Sequence, residues 1–284
     1  MEGLKVTDVH VHIQPFEMVK PEAMEVLKLG KRDFEFITEL RKSPSKFIEL
    51  LDREGVWRVC LINYVAKEVL GFTEEVNAFS AKYASEYPDR LLPFGGVDPR
   101  STDVKQRMEE LISKYEIRGI KIHPPHQLFF PNSYVTEGLR GLEVVYSMAE
   151  DNGLPVMIHT GTSIFPGARV RFGNPLSLDD VALDFPKLKI IMAHGGRPFW
   201  TEEAFYLLRR HQNLYFDVSS IPPKRLLHYF PRLEEVAHKT LFGSDWPGPM
   251  VPGIKHNLDD FLALPLSNDA KRAILETNSR RLFS

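Results

Sequence analysis

Cysteine is almost missing from this chain of 284 residues: Cys60 is the only one. It can form no internal disulfide and can supply no thiolate cluster for a structural zinc site. Long apolar runs are missing too, and no window approaches the roughly 20 uninterrupted apolar residues of a membrane-spanning helix. Neither sign of charge is in excess, since 36 Lys and Arg face 38 Asp and Glu for a formal net charge of −2. That balance argues against nucleic acid as a partner, because binding phosphates calls for a basic surface. The first apolar run ends in Val9-His10-Val11-His12-Ile13-Gln14-Pro15 with no glycine, where a doubly wound nucleotide-binding sheet usually carries a Gly-rich turn. A Gly-x-Ser-x-Gly elbow is also absent, which disfavours a serine hydrolase. Met1-Glu2-Gly3-Leu4-Lys5 contains no apolar signal-peptide core. With 43% hydrophobic and 26% charged residues, the chain has too much apolar content to stay disordered. It reads as a soluble, cytoplasmic protein without membrane or nucleic-acid partners.

What is present is a repeat of short apolar runs separated by longer amphipathic stretches. The runs are Val6–Ile13, Trp57–Asn63, Leu91–Val97, Ile117–His123, Pro155–His159, Leu188–His194, Leu214–Val218 and Thr240–Phe242. Their length and their β-branched and aromatic content suit buried parallel strands. Between them, Phe47, Ile48, Leu50 and Leu51 give one helical face after Ser43-Pro44-Ser45. Val104, Met108, Leu111 and Ile112 give another, and Leu139, Leu142, Val145, Tyr146 and Ala149 a third, stopped by Asn152-Gly153. Strand then helix, eight times over, in a chain near the roughly 250 residues typical of the fold, predicts a (β/α)8 TIM barrel in a single domain over residues 1–284. Two stretches interrupt the repeat, Gln14 to about Lys42 after strand one and Thr160 to Asn174 after strand five. In a barrel both lie on the C-terminal face, where the chemistry sits. The tail from Lys255 to Ser284 reads as two or three closing helices.

Polar residues gather at the C-terminal ends of the runs: His10 and His12, Lys121 and His123, His159, His194, Asp217, and Asp245 after Phe242-Gly243-Ser244. Residues two apart on a strand point to one face, so the imidazoles of His10 and His12 can converge on one ion, with Asp8 a layer deeper. Imidazole and carboxylate together suit Zn²⁺, Fe²⁺, Mn²⁺ or Co²⁺, whereas magnesium prefers oxygen alone. Three or four protein ligands leave a position open for water or substrate, which is a catalytic design.

Asp8-Val9-His10-Val11-His12, Gly119-Ile120-Lys121-Ile122-His123-Pro124, His159-Thr160-Gly161, Ala193-His194-Gly195-Gly196 and Phe242-Gly243-Ser244-Asp245-Trp246-Pro247 stand in the order expected for the amidohydrolase superfamily. The chain resembles its amidohydrolase 2 branch, which contains aminocarboxymuconate-semialdehyde decarboxylase. The closing Ile274–Phe283 segment is similar to that branch's C-terminal signature, so the resemblance runs from about Val6 to Phe283. It implies one divalent metal, Zn²⁺ first among the candidates, held by His10, His12, His159 and Asp245. It also implies catalytic roles for His194, beside the activated water, and for Asp245, which would accept the water's proton. In binuclear relatives a strand-four lysine is carboxylated and bridges two ions; in the single-metal branch it more plausibly contacts substrate or balances charge, and a single metal is the expectation here. A homodimer would be unsurprising for this branch.

Substrate contacts are expected from Lys121, His123, Arg169, Arg171 and Trp246. The two arginines offer bidentate hydrogen bonds to a carboxylate, and Trp246, Phe199 and Trp200 are candidates for an apolar wall. Asn63, Tyr64, Asp98 and His126 follow strand ends and so also face a barrel's pocket. The leading functional expectation is a metal-dependent hydrolase acting on a small-molecule amide, ester or lactone. The alternative is a non-oxidative decarboxylase of an unsaturated or aromatic carboxylic acid on the same site.

Overall fold

A computed structural model of the chain describes residues 3–31 and 33–283. Within it the apolar runs form eight strands: β1 Thr7–Val11, β2 Arg58–Leu61, β3 Leu91–Gly95, β4 Gly119–Ile122, β5 Val156–His159, β6 Ile190–Ala193, β7 Leu214–Asp217 and β8 Thr240–Leu241. Each pairs in parallel with the next in chain order. The ring closes between its ends, where the Val9 N–H donates to the Phe242 carbonyl at 2.9 Å and the Asp245 N–H to the His10 carbonyl at 2.9 Å. The architecture is the (β/α)8 barrel that the alternating pattern predicts.

Alternation explains how a fully buried strand carries both core and chemistry. In β5, Val156 and Ile158 pack outward against the helices while Met157 and His159 point inward. In β6, Ile190 and Met192 face outward and Ile191 and Ala193 inward. The three helices read from the sequence are present as Pro44–Glu54, Val104–Ser113 and Gly141–Asp151. The first is capped by the Ser43 hydroxyl, which accepts from the Lys46 N–H. Gly55, in the left-handed region at φ 79°, ends it.

The insertion after β1 folds into helices Pro21–Lys28 and Phe34–Leu40, which stand over the C-terminal mouth of the barrel. The tail forms helix Ile254–Leu262 and a second helical stretch running from Asn268–Arg272 through a π-turn at Ala273–Thr277 to Asn278–Leu282. Its last residues plug the opposite end of the barrel. Phe283 meets Phe94 edge-on, and Arg118 and Lys189, just before β4 and β6, donate to the Phe283 and Leu282 carbonyls. The barrel is thus open at one end only.

Candidate metal centre and active site

β1 does not run as a plain strand. Asp8 pairs with Val59 but Val11 with Leu61, so β1 carries one extra residue between them. A bulge of this kind re-aims side chains, and here it sits at His10. The Asp8 carboxyl braces the turn, its Oδ1 accepting from the backbone N–H groups of His10 at 3.0 Å and Ser244 at 2.9 Å. Beyond the bulge the rings of His10 and His12 still converge, with centroids 5.0 Å apart.

Hydrogen bonds decide which nitrogen each ring presents. His12 Nδ1 lies 3.0 Å from the Ile62 carbonyl, which can only accept, so Nδ1 carries the proton and Nε2 offers a lone pair. His10 Nδ1 donates to the Asp217 carboxylate at 2.6 Å, leaving its Nε2 free in the same way. Both Nε2 atoms face one oxygen, Asp245 Oδ1, at 3.0 Å from His12 and 3.5 Å from His10. Burial pulls His10 down to about 4, so at neutral pH its ring is uncharged. Three acceptors this close repel unless a cation lies among them, and imidazole nitrogen with carboxylate oxygen is the donor set of a borderline divalent metal. The residues therefore fit a metal ion.

A second cluster, His10, His194 and Asp217, is equally compact but has different chemistry. His194 Nδ1 donates to the Ser219 carbonyl at 2.9 Å, and Asp217 accepts from His10, from the Ser219 hydroxyl at 2.7 Å and from the Ser219 N–H at 2.9 Å. Its nitrogens have spent their protons on hydrogen bonds, so this is a network that orients rings. Burial alone would raise the Asp217 carboxyl, but the neighbouring His10 ring and the hydrogen bonds from His10 and Ser219 bring it below its ordinary value. A side chain at position 243 would destroy the contact, since a Cβ on Gly243 would lie 2.3 Å from Asp217 Oδ1.

His10, His12, His194 and Asp245 form the floor of a cavity of about 270 Å³. Lys121, His123 and His159 complete the floor, and each buries a nitrogen without a hydrogen-bond partner among the described residues: Lys121 Nζ, His123 Nδ1 and His159 Nε2. Burial lowers Lys121 to about 8 and carries the His159 and His194 rings well below their usual value. Asp245 goes the other way. Burial would raise it, but the His12, His10 and His194 rings packed around it hold it well below the carboxylate range. His194 and Asp245 both adopt left-handed backbone, at φ 68° and 65°, a conformation unfavourable for residues with a Cβ and concentrated at functional sites. The mouth is apolar, walled by Phe16, Leu27 and Phe34 of the insertion, Phe165 after β5 and Met250 after β8.

A family model described as amidohydrolase, Amidohydro_2, matches residues 7–284. The chain belongs to the amidohydrolase family. No curated protein matches it in sequence. Among solved structures, an uncharacterized TIM-barrel protein from Bordetella bronchiseptica is 25% identical, with 98% of each chain covered and a TM-score of 0.75. A 2,6-dihydroxybenzoate decarboxylase from Rhizobium is 19% identical over 100% of this chain and 99% of its own, with a TM-score of 0.67. A dihydroxybenzoic acid decarboxylase from Polaromonas sp. JS666, with bound manganese and an inhibitor, is 16% identical over 99% and 97%, with a TM-score of 0.69. Enzymes of this family are metal-dependent and act on small molecules, hydrolases and carboxy-lyases among them.

Within this amidohydrolase the candidate residues divide cleanly. His10, His12 and Asp245 are brought together, and His194, His159, Lys121 and His123 share their cavity. His159 stands outside the compact ligand set, its ring 4.7 Å from that of His194. Arg169 and Arg171 are exposed and do not line the cavity; Arg171 lies over the Phe172 ring instead. Trp246 also points away, stacked on Phe47 in the outer core at 6.2 Å. Asn63 is spent on the Ile13 carbonyl and Ser80, Asp98 on Arg100, and Phe199 and Trp200 lie outside the cavity lining. Among the described residues the arginine that does line the cavity is Arg197, three residues after His194, its buried Nε without a hydrogen-bond partner there. Asp217 and Ser219 were visible only as a strand-end acid and its neighbour; no motif marked them as the orienting pair.

Asp8 yields a pH prediction. Burial, opposed by the N–H groups of Ser244 and His10, raises its carboxyl to about 7. A carboxyl raised on folding contributes stability that is full below its unfolded value and is lost as pH rises through about 7. Asp8→Asn keeps the Oδ1 acceptor and cannot ionise. The melting temperature of the variant relative to the native chain is expected to climb by several degrees between pH 5 and pH 9. A difference that falls over that range would mean Asp8 folds as a carboxylate.

Proposed function

We infer that this amidohydrolase is a hydrolase that uses one divalent ion and an activated water on a small amide, ester or lactone. The observation that carries the reading is the convergence of His10 Nε2, His12 Nε2 and Asp245 Oδ1 at the floor of a cavity with an apolar mouth. His10, His12 and Asp245 would hold the ion, with the buried, unpartnered Nε2 of His159 as fourth ligand; Zn²⁺ fits this set first, and Mn²⁺, Fe²⁺ or Co²⁺ also fit. When bound, such an ion supplies Lewis acidity and makes water acidic near neutral pH.

The chain's own residues do the rest. Asp245, held ionised, takes the proton of the attacking water and returns it to the leaving group. His194, neutral and fixed by the Ser219 carbonyl through Nδ1, presents Nε2 as an acceptor that orients the water. Lys121 Nζ and Arg197 Nε, both without partners among the described residues, supply donors where negative charge develops on the substrate oxygen. The insertion helices and Met250 keep bulk water from the floor. Lys121, as an ordinary amine, belongs to the substrate side of a single-metal site, and the enzyme works in the cytoplasm as one domain.

Those two cations also favour a second reading. Lys121 and Arg197 beneath an apolar mouth suit an aromatic carboxylate, the substrate class of the decarboxylases that share the fold.

The test starts from metal content. Protein purified without chelators is expected to carry about one equivalent of Zn, Mn, Fe or Co, and His12→Ala to lose both the metal and at least 10³-fold in hydrolysis across an ester, lactone and amide panel. A His12→Ala protein with full activity overturns the reading. Release of CO₂ from aromatic carboxylates, with no hydrolysis of the panel, moves the assignment to the lyase.

A further inference from the structure

Three side chains along the cavity wall form a hydrogen-bonded row that the reaction above leaves unused. The Tyr64 hydroxyl lies 3.0 Å from His126 Nδ1, and His126 Nε2 lies 2.7 Å from Ser163 Oγ. Tyr64 is 3% and His126 1% exposed, while Ser163 is half-buried against the cavity. The row lies beyond His10, His12 and Asp245 and is separated from His159 by the ring of His123, the His126 and His159 centroids being 6.4 Å apart. His126 stacks on His123 at 3.5 Å, His123 on His159 at 3.8 Å, and only then comes His194.

The direction of each bond follows from chemistry. Burial raises the Tyr64 phenol well above its usual value, so it keeps its proton, and a buried phenol must spend that proton on a partner. His126 Nδ1 is the acceptor it has. Burial, reinforced by the Lys121 charge, pulls His126 down to about 3, so the ring is neutral. A neutral imidazole that accepts at Nδ1 carries its proton on Nε2 and donates to Ser163 Oγ. The backbone N–H of Phe165 also donates to Ser163 Oγ, at 3.3 Å. Both lone pairs of that oxygen are then filled, and the Ser163 proton has no acceptor among the described residues.

We propose that Ser163 is a specificity-determining donor that binds an acceptor-only oxygen, such as a second carboxylate, on the end of the substrate remote from Asp245. His126 and Tyr64 are positioning residues that hold the hydroxyl in the donating sense. The substrate is on this account a small apolar or aromatic molecule with two oxygen-bearing ends, one at the metal ligands and one at Ser163. The inference rests on the cavity being the substrate site and is independent of which bond is broken there.

The test reads binding rather than turnover. Metal-loaded protein is titrated calorimetrically with benzoate and with phthalate, isophthalate and terephthalate, which add a second carboxylate at three angles. At least one dicarboxylate is expected to bind about tenfold or more tighter than benzoate, the scale of one charge-assisted hydrogen bond. Ser163→Ala is expected to erase that preference without changing benzoate affinity, and Ser163→Thr, which keeps a hydroxyl, to restore it. Tyr64→Phe is expected to weaken it part-way. If no dicarboxylate binds tighter than benzoate, or if the preference survives in Ser163→Ala, the proposal is overturned; survival would hand the second carboxylate to Arg197 or Lys121. An intact, Ser163-dependent preference in a protein that hydrolyses nothing would sink the hydrolase reading and leave this one standing.

Discussion

Asp245→Asn is expected to lower kcat by about 10³-fold or more while the protein stays folded and keeps most of its metal. An asparagine Oδ1 can still meet His10 and His12 Nε2 across the same 3.0–3.5 Å, so the ligand cluster survives in part. What is lost is the proton acceptor. In the native chain that acceptor is held ionised, because the His12, His10 and His194 rings around it outweigh the burial that would protonate it. Since Asp245 loses its charge only far below neutral pH, the native pH–rate profile should show no acidic limb near pH 4 from this residue. Metal analysis beside kcat decides the matter. A variant that keeps its metal and turns over within tenfold of the native rate would remove Asp245 from proton transfer, and loss of metal in step with activity would make it a ligand only.

Asp217→Asn should have the second largest effect, at a residue that touches neither cavity nor substrate. Asp217 is fully buried and its carboxylate accepts the His10 Nδ1 proton at 2.6 Å. An amide there can present N–H to Nδ1, which favours the His10 tautomer protonated on Nε2, the nitrogen required for the metal. Outer partners of this kind are worth about 10–100-fold in metal affinity, and a wrong tautomer at a catalytic histidine can cost about 10⁴-fold in rate. Expected are a metal affinity at least tenfold weaker, measured by competition with a chelator, and activity that recovers substantially in excess metal. Recovery separates an orienting residue from a ligand. A variant with native metal affinity would show that His10 does not depend on Asp217 for its tautomer.

Much of this protein can be read without coordinates, because a barrel strand writes its chemistry at fixed spacing. Apolar runs of three to eight residues could be ordered around a barrel from their alternation with amphipathic stretches, since a parallel strand buried on both faces tolerates little else. Strand-end polar residues then had to fall on the one face where loops converge. This is why His10, His12, His159, His194 and Asp245 could be grouped from the sequence, and why Lys121 and His123 could be added to them.

Other features depended on distances along directions that the sequence does not record. Arg169 and Arg171 sit in the right loop, yet they are exposed, while Arg197, three residues after the left-handed turn at His194, lines the cavity. Trp246 directly follows Asp245 but stacks outward on Phe47, because the chain there has left the strand and turns through left-handed backbone at Asp245. The bulge in β1, the Asp217–His10 contact across 207 residues and the Tyr64–His126–Ser163 row each join segments remote in the chain. The barrel, its strand order and the polar strand ends at its open mouth follow from local periodicity and are legible in the residues alone. Which nitrogen each histidine presents, which arginine serves the cavity and where a spare hydroxyl proton remains depend on packing, because hydrogen-bond direction is settled by the partner that packing supplies.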